Sequence, residues 1–145
     1  MAHRVLVGVL LLALGWGCGK SAPVHEKVRA EGGFVRLPRL AVADGGVHFF
    51  TFVHEGANVN FLFRTDGNGM LHSHLDACYS CFKYKLGFVH EGEDVVCIAC
   101  RLKYPIEKEF WDYIGACAPI PIHSETVGEF VVIEEALLQQ AARYF

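Results

Sequence analysis

The chain has 145 residues, about one small domain's worth, with 13 Lys and Arg against 16 Asp and Glu and a formal charge of −3. Apolar residues make up 52%, enough for a real though small core. No basic patch interleaves with aromatics, so composition gives no footing for a nucleic-acid partner.

The chain opens on a short basic stretch, Met1-Ala2-His3-Arg4, followed by an apolar run from Val5 to Leu14 and then Gly15-Trp16-Gly17-Cys18. That layout reads as a signal peptide over residues 1–17, and the run is too short for an ordinary membrane-spanning helix, which needs ~20 residues. A cysteine directly after the cut resembles a bacterial lipoprotein signal, which makes Cys18 the expected lipidation site. Ordinary secretion with a free Cys18 is the alternative. Residues 18–33 are polar, carry Pro23 and the Gly32-Gly33 pair, and read as anchor and flexible tether. The domain proper is expected over residues 34–145.

From Phe34 onward, short runs alternate apolar and polar residues. Phe34-Val35-Arg36-Leu37 and Leu40-Ala41-Val42 look strand-like, and Asp44-Gly45-Gly46 makes a turn. Val47 to His54 is rich in strand formers, and Val59 to Arg64 alternates through Val59, Phe61 and Phe63. Asp66-Gly67-Asn68-Gly69 is the clearest hairpin turn, after which Met70 to Cys78 returns as a strand. A cysteine-bearing irregular block follows, with a short strand at Asp94 to Ile98. The spacing of Ile106, Phe110, Trp111 and Ile114 predicts a short helix. Pro119 and Pro121 force an extended path after Cys117. Glu129 to Ile133 is a last strand, and Glu134 to Arg143 a terminal helix with acids first and Arg143 last. The expected fold is α+β: a small, mostly antiparallel β domain with a cysteine-rich metal-knuckle insert, a short helix and a C-terminal helix.

Chemistry concentrates in five cysteines within forty residues: Cys78-Tyr-Ser-Cys81, Cys97-Ile-Ala-Cys100 and Cys117. Each CxxC turn can offer two thiolates to one metal, and the fifteen residues between the turns match the spacing of four-cysteine ribbon sites. Zinc, a single iron and an iron–sulfur cluster all accept four thiolates, so spacing does not select the metal. Disulfides among the same sulfurs are the alternative outside the cytosol. Cys117 is one sulfur beyond a four-ligand set, and is a replacement ligand, a redox partner or a buried apolar side chain. On a strand from Met70 to Cys78, His72, His74, Asp76 and Cys78 share one face, a row of auxiliary ligands or second-shell groups running into the first CxxC. The competing reading of that row is an exposed polar strand face. No residues suggest a Ser-His-Asp triad, a phosphate-cradling loop or an HExxH helix.

Taken together, Leu75-Asp76-Ala77-Cys78-Tyr79-Ser80-Cys81, Leu86-Gly87-Phe88, Val96-Cys97-Ile98-Ala99-Cys100, Ile114-Gly115-Ala116-Cys117-Ala118-Pro119-Ile120-Pro121-Ile122 and Arg143-Tyr144-Phe145 resemble the FtrD-like domain family. The resemblance covers Val47 to Phe145. Arg101, Ala116 and Ala118 stand where that pattern has Gly, Gly and Asn. It implies an exported or membrane-associated iron–sulfur protein tied to bacterial ferrous-iron uptake, with Cys78, Cys81, Cys97, Cys100 and Cys117 as the family's cysteines and Asp76 as its aspartate.

The leading functional expectation is therefore an exported, lipid-anchored protein facing the periplasm. It holds an iron–sulfur cluster or iron and works beside a membrane permease or electron-transfer partner of an iron-uptake system. A structural zinc-ribbon docking module and a periplasmic thiol–disulfide redox protein are the alternatives.

Overall fold

The protein is described by a computed structural model covering residues 22–111 and 117–145. The proposed signal peptide and Cys18 lie outside the described residues. Chain order runs β1 (Glu26–Val28), β2 (Ala30–Glu31), β3 (Phe34–Pro38), α1 (Arg39–Val42), β4 (Val47–His54), β5 (Ala57–Thr65), β6 (Leu71–Cys78) and β7 (Phe88–Glu91). It continues with β8 (Asp94–Cys97), β9 (Lys103–Pro105), β10 (Pro119–Pro121), β11 (Glu125–Val127), β12 (Phe130–Glu134) and α2 (Glu135–Ala141).

These strands form three sheets, in the orders β1-β4-β5-β6-β10, β11-β12-β3-β2 and β7-β8-β9. Every pairing is antiparallel except that of β1 with β4. The domain is thus the expected α+β fold, mostly antiparallel.

The five-stranded sheet is buried on both faces, and the strand period of two sorts its side chains between two cores. Phe50 and Phe52 of β4, Val59, Phe61 and Phe63 of β5, and Leu75 and Ala77 of β6 meet Val35, Leu37, Val131, Ile133 and Leu138 in the larger core. Their neighbours Phe49, Leu62 and Cys78 point the other way, into a second core with Phe88, Val95, Cys97, Tyr104 and Trp111. The three-stranded sheet is therefore the lid of a second, smaller core, with cysteine sulfur built into it. At ~25 cal/mol per Å² of apolar surface buried, such a satellite core contributes several kcal/mol, which steadies the cysteine turns before any metal is considered.

Three local expectations are corrected. Residues 26–31, read as flexible tether, pair with β4 and β3 instead. Their ladder hydrogen bonds outweigh the polar composition, because edge strands tolerate polar side chains. Leu40-Ala41-Val42 is not a strand but the single helical turn α1, closed by the Ala43 N–H on the Arg39 carbonyl (3.0 Å). That turn buries Val42 while leaving Leu40 exposed, whereas a strand would put both on one face.

The helix expected from Ile106 does not form over residues 106–111, and residues 112–114 lie outside the described residues. The cause is Arg64. Its guanidinium donates to the carbonyls of Ile106 (2.9 Å), Lys108 (2.6 Å) and Glu109 (3.1 Å), oxygens that a helix would direct along its own axis. It also lies 4.0 Å from the centre of the Trp111 ring. Burial pulls its pKa down to about 10, so it remains charged at neutral pH.

Arg64→Met tests this anchor. It would leave three carbonyls without their charged donor and remove the cation–π contact. We expect a loss of roughly 3 kcal/mol in urea unfolding. An unchanged midpoint would show that the loop holds Trp111 without Arg64.

Candidate metal centre

The first CxxC begins on the last residue of β6. Cys78 ends that strand, and the chain turns so that the Cys81 N–H donates to Cys78 Sγ at 3.2 Å. One 3-10 turn, Phe82–Tyr84, then carries the chain away, with the Tyr84 N–H on the Cys81 carbonyl. The second CxxC begins on the last residue of β8. Cys97 closes its turn by accepting the Arg101 N–H at 2.9 Å. Arg101 has φ +62°, the left-handed region that favours glycine. A glycine would take this conformation without strain, and here Arg101 takes the strain while its guanidinium pairs with Glu91 (3.0 Å).

The two turns and Cys117 converge. Sγ atoms of Cys78, Cys81 and Cys97 lie within 4.8 Å of one another, and so do those of Cys81, Cys100 and Cys117. Cys81 belongs to both groups. A metal ~2.3 Å from each of four tetrahedral sulfurs would hold them about 3.8 Å apart, so each triad is compact enough to share one ion. All five cysteines are free thiols. Burial pushes the Cys81 thiol far above the ordinary range, and Cys78, Cys97 and Cys100 push the same way. Such crowded thiols give up protons to a cation rather than to water, so metal binding here releases protons.

Tyr104 closes one side of the sulfur group. Its hydroxyl donates to the Cys117 carbonyl. Burial first, and then Cys100, Cys78, Cys97 and Cys117, push its pKa up, so it stays a protonated donor. The other side opens on a pocket of about 200 Å³ lined by Cys78, Cys81, Cys97, His25, Tyr144 and Phe145, among others. The terminal Tyr144-Phe145 pair thus folds back to the first CxxC, where Tyr144 meets the Phe82 ring edge-on at 5.3 Å.

The row His72, His74, Asp76, Cys78 does share one strand face, but that face is covered rather than exposed. Among the described residues the convergent ligand groups consist of cysteines alone, so His72, His74 and Asp76 stand apart from the sulfurs. Asp76 joins elements instead. One carboxylate oxygen accepts the Phe88 N–H at 2.6 Å, and the other meets His25 Nε2 at 2.8 Å. His72 Nε2 bonds Asp66 at 2.7 Å. His74 stacks on Trp111 at 4.9 Å. His25, Tyr104 and Trp111 were not legible as site residues. A lone histidine in a polar stretch and aromatics beyond the CxxC turns carry no motif.

Asp76 can do this only because residue 87 is glycine. Gly87 has φ +68°, and a Cβ there would lie 2.6 Å from both Asp76 carboxylate oxygens. Gly87→Ala is expected to cost roughly 2 kcal/mol or more in urea unfolding, combining left-handed backbone strain with the clash. Gly128→Ala is the control, since Gly128 has φ +61° and open space around it. Equal losses in the two variants would show that the Asp76 contact is unimportant.

No curated protein and no solved structure matches this chain. A family model does: it describes a "membrane iron-sulfur containing protein FtrD-like" and matches residues 42–145. That span takes in Cys78, Cys81, Cys97, Cys100 and Cys117. The fold gathers the first three of them at one pocket with Asp76, Gly87 and the Tyr144-Phe145 pair. The chain belongs to the FtrD-like family of membrane iron–sulfur containing proteins.

Proposed function

We propose that this chain is an exported lipoprotein, anchored through Cys18 and facing the periplasm, that holds iron or an iron–sulfur cluster on its cysteines and serves iron uptake at the membrane. Among the described residues no helix is long and apolar enough to cross a membrane, so attachment rests on the lipid in this reading.

The observation that carries the proposal is the convergence of five free sulfurs in two triads sharing Cys81. Cys78, Cys81, Cys97 and Cys100 would hold the group, with Cys117 as an added ligand beside Cys81. Thiolates tolerate both oxidation states of iron, and hydrogen bonds to sulfur tune the potential. The Cys81 N–H on Cys78 Sγ is one such bond. When bound, iron would supply one-electron chemistry. The protein's own part is to fix the sulfurs on strand ends, bury Cys78 and Cys97, and hold a neutral phenol over Cys117. The partner would be a permease or an electron carrier of the same uptake system.

The test is to express the full chain in a bacterial host and recover it from the membrane fraction without oxygen or chelator. The expected result is iron with visible sulfur-to-metal absorption, most of it lost in Cys81→Ser. Cys18→Ser should move the protein to the soluble fraction. One colourless zinc per chain would replace the proposal with a zinc-ribbon docking module. No metal and two disulfides would replace it with thiol–disulfide exchange.

A further inference from the structure

A second pocket, of about 410 Å³, lies where the edge strand β10 meets β6, and His72, His74, His123, Trp111, Arg64 and Glu109 are among its lining residues. The register explains why three imidazoles line it. His72 and His74 are two apart on β6 and share a face. Pro121 pairs with His74, and the Ile122 N–H on the Ser73 carbonyl (3.2 Å) carries the register on, bringing His123 opposite His72. Directly opposed residues have Cβ atoms about 5 Å apart.

Each imidazole is prepared in a way that suits a metal. His72 Nε2 is held by Asp66, whose buried carboxylate also accepts the N–H groups of Asn68 and Met70. His123 Nε2 is held by Glu125 at 3.1 Å. A carboxylate behind the imidazole orients the ring, raises its basicity and leaves Nδ1 for a metal. His74 is only 8% exposed, and its Nδ1 has no hydrogen-bond partner among the described residues. Leaving a buried nitrogen without a partner is costly, so its persistence calls for a ligand. The nearby Arg64 charge opposes a cation. It is spread over three carbonyls and the Trp111 face, and the Asp66 carboxylate supplies compensating negative charge.

We propose that this pocket binds one divalent first-row transition-metal ion through His72, His74 and His123, at a site separate from the sulfur centre. Imidazole suits iron, nickel, copper and zinc, whereas thiolates take the softer or cluster-forming metals. The three rings surround the pocket without closing on one point, and His123, with 68% of its side chain exposed, is the member that swings inward on binding. The site lies one aromatic pair from the sulfurs. Trp111 stacks on His74 and meets Tyr104 at 5.6 Å, and Tyr104 bonds the Cys117 carbonyl. A nitrogen-donor position so close to a thiolate centre suits transient holding of a metal in transit. The inference goes beyond the sulfur-centre reading and stands without it.

The experiment uses the full chain with its cysteine-bound metal counted first. A chain that arrives with empty cysteines is loaded with zinc. Co(II) is then titrated in by calorimetry under anaerobic conditions. One further Co(II) per chain is expected, weakened at least about tenfold in His123→Ala and in His72→Ala, with cysteine-bound metal unchanged. His123 is exposed, so its variant should fold normally. The proposal is overturned by no further equivalent, by one that both variants bind equally well, or by uptake matched by loss of cysteine-bound metal. Failure of the sulfur reading would appear separately, in the first count.

Discussion

Alternation along β6 is the constraint on which the rest depends. A strand sends successive side chains to opposite faces, and the five-stranded sheet has no face to spare for solvent at its centre. Leu75 and Ala77 therefore seal the larger core, while His72, His74, Asp76 and Cys78 are committed to the far side. That side needs a cover, and β7-β8-β9 provides it. The cover brings Cys97 to Cys78, which β6 already presents. A one-residue slip of β6 would exchange the faces and send Cys78 into the phenylalanine core.

Asp76 and Gly87 then decide how closely the cover approaches. A buried carboxylate is costly unless its oxygens are satisfied, and both Asp76 oxygens have partners, one from β7 and one from His25 just before β1. The Ile98 N–H on the Gly87 carbonyl ties the second CxxC to the same point. The sulfur centre is thus positioned by backbone contacts. Arg64 plays the matching part on the other flank, where it shapes residues 106–109 and holds Trp111 between the sulfurs and the histidines.

Much of this is legible in the residues. Period-two runs and the Asp66-Gly67-Asn68-Gly69 turn mark β4, β5 and β6, and the Asp66 side chain does accept the turn's N–H groups. The two CxxC turns and Cys117 mark the sulfur centre. What is not legible depends on partners distant in sequence. The helical spacing of Ile106, Phe110 and Trp111 is real, but Arg64, more than forty residues earlier, draws off the carbonyls. Leu40 and Val42 alternate like a strand, yet one helical turn buries Val42 alone. His25 sits in a polar stretch without a motif, and only the parallel pairing of β1 with β4 carries that stretch to Asp76. His72 and His74 share the Cys78 face by the strand period, but four residues of strand rise about 13 Å, which puts His74 beyond the reach of a ligand set centred on Cys81.

The central claim is that the cysteines hold the iron with which the chain is isolated, the histidine pocket taking a further metal ion only when one is added. X-ray absorption at the iron edge of the anaerobically purified full chain tests it most directly, because it reads the donor atoms themselves. The account predicts a first shell of sulfur alone, unchanged in His72→Ala. A shell containing nitrogen or oxygen, or one that changes with His72, would contradict it.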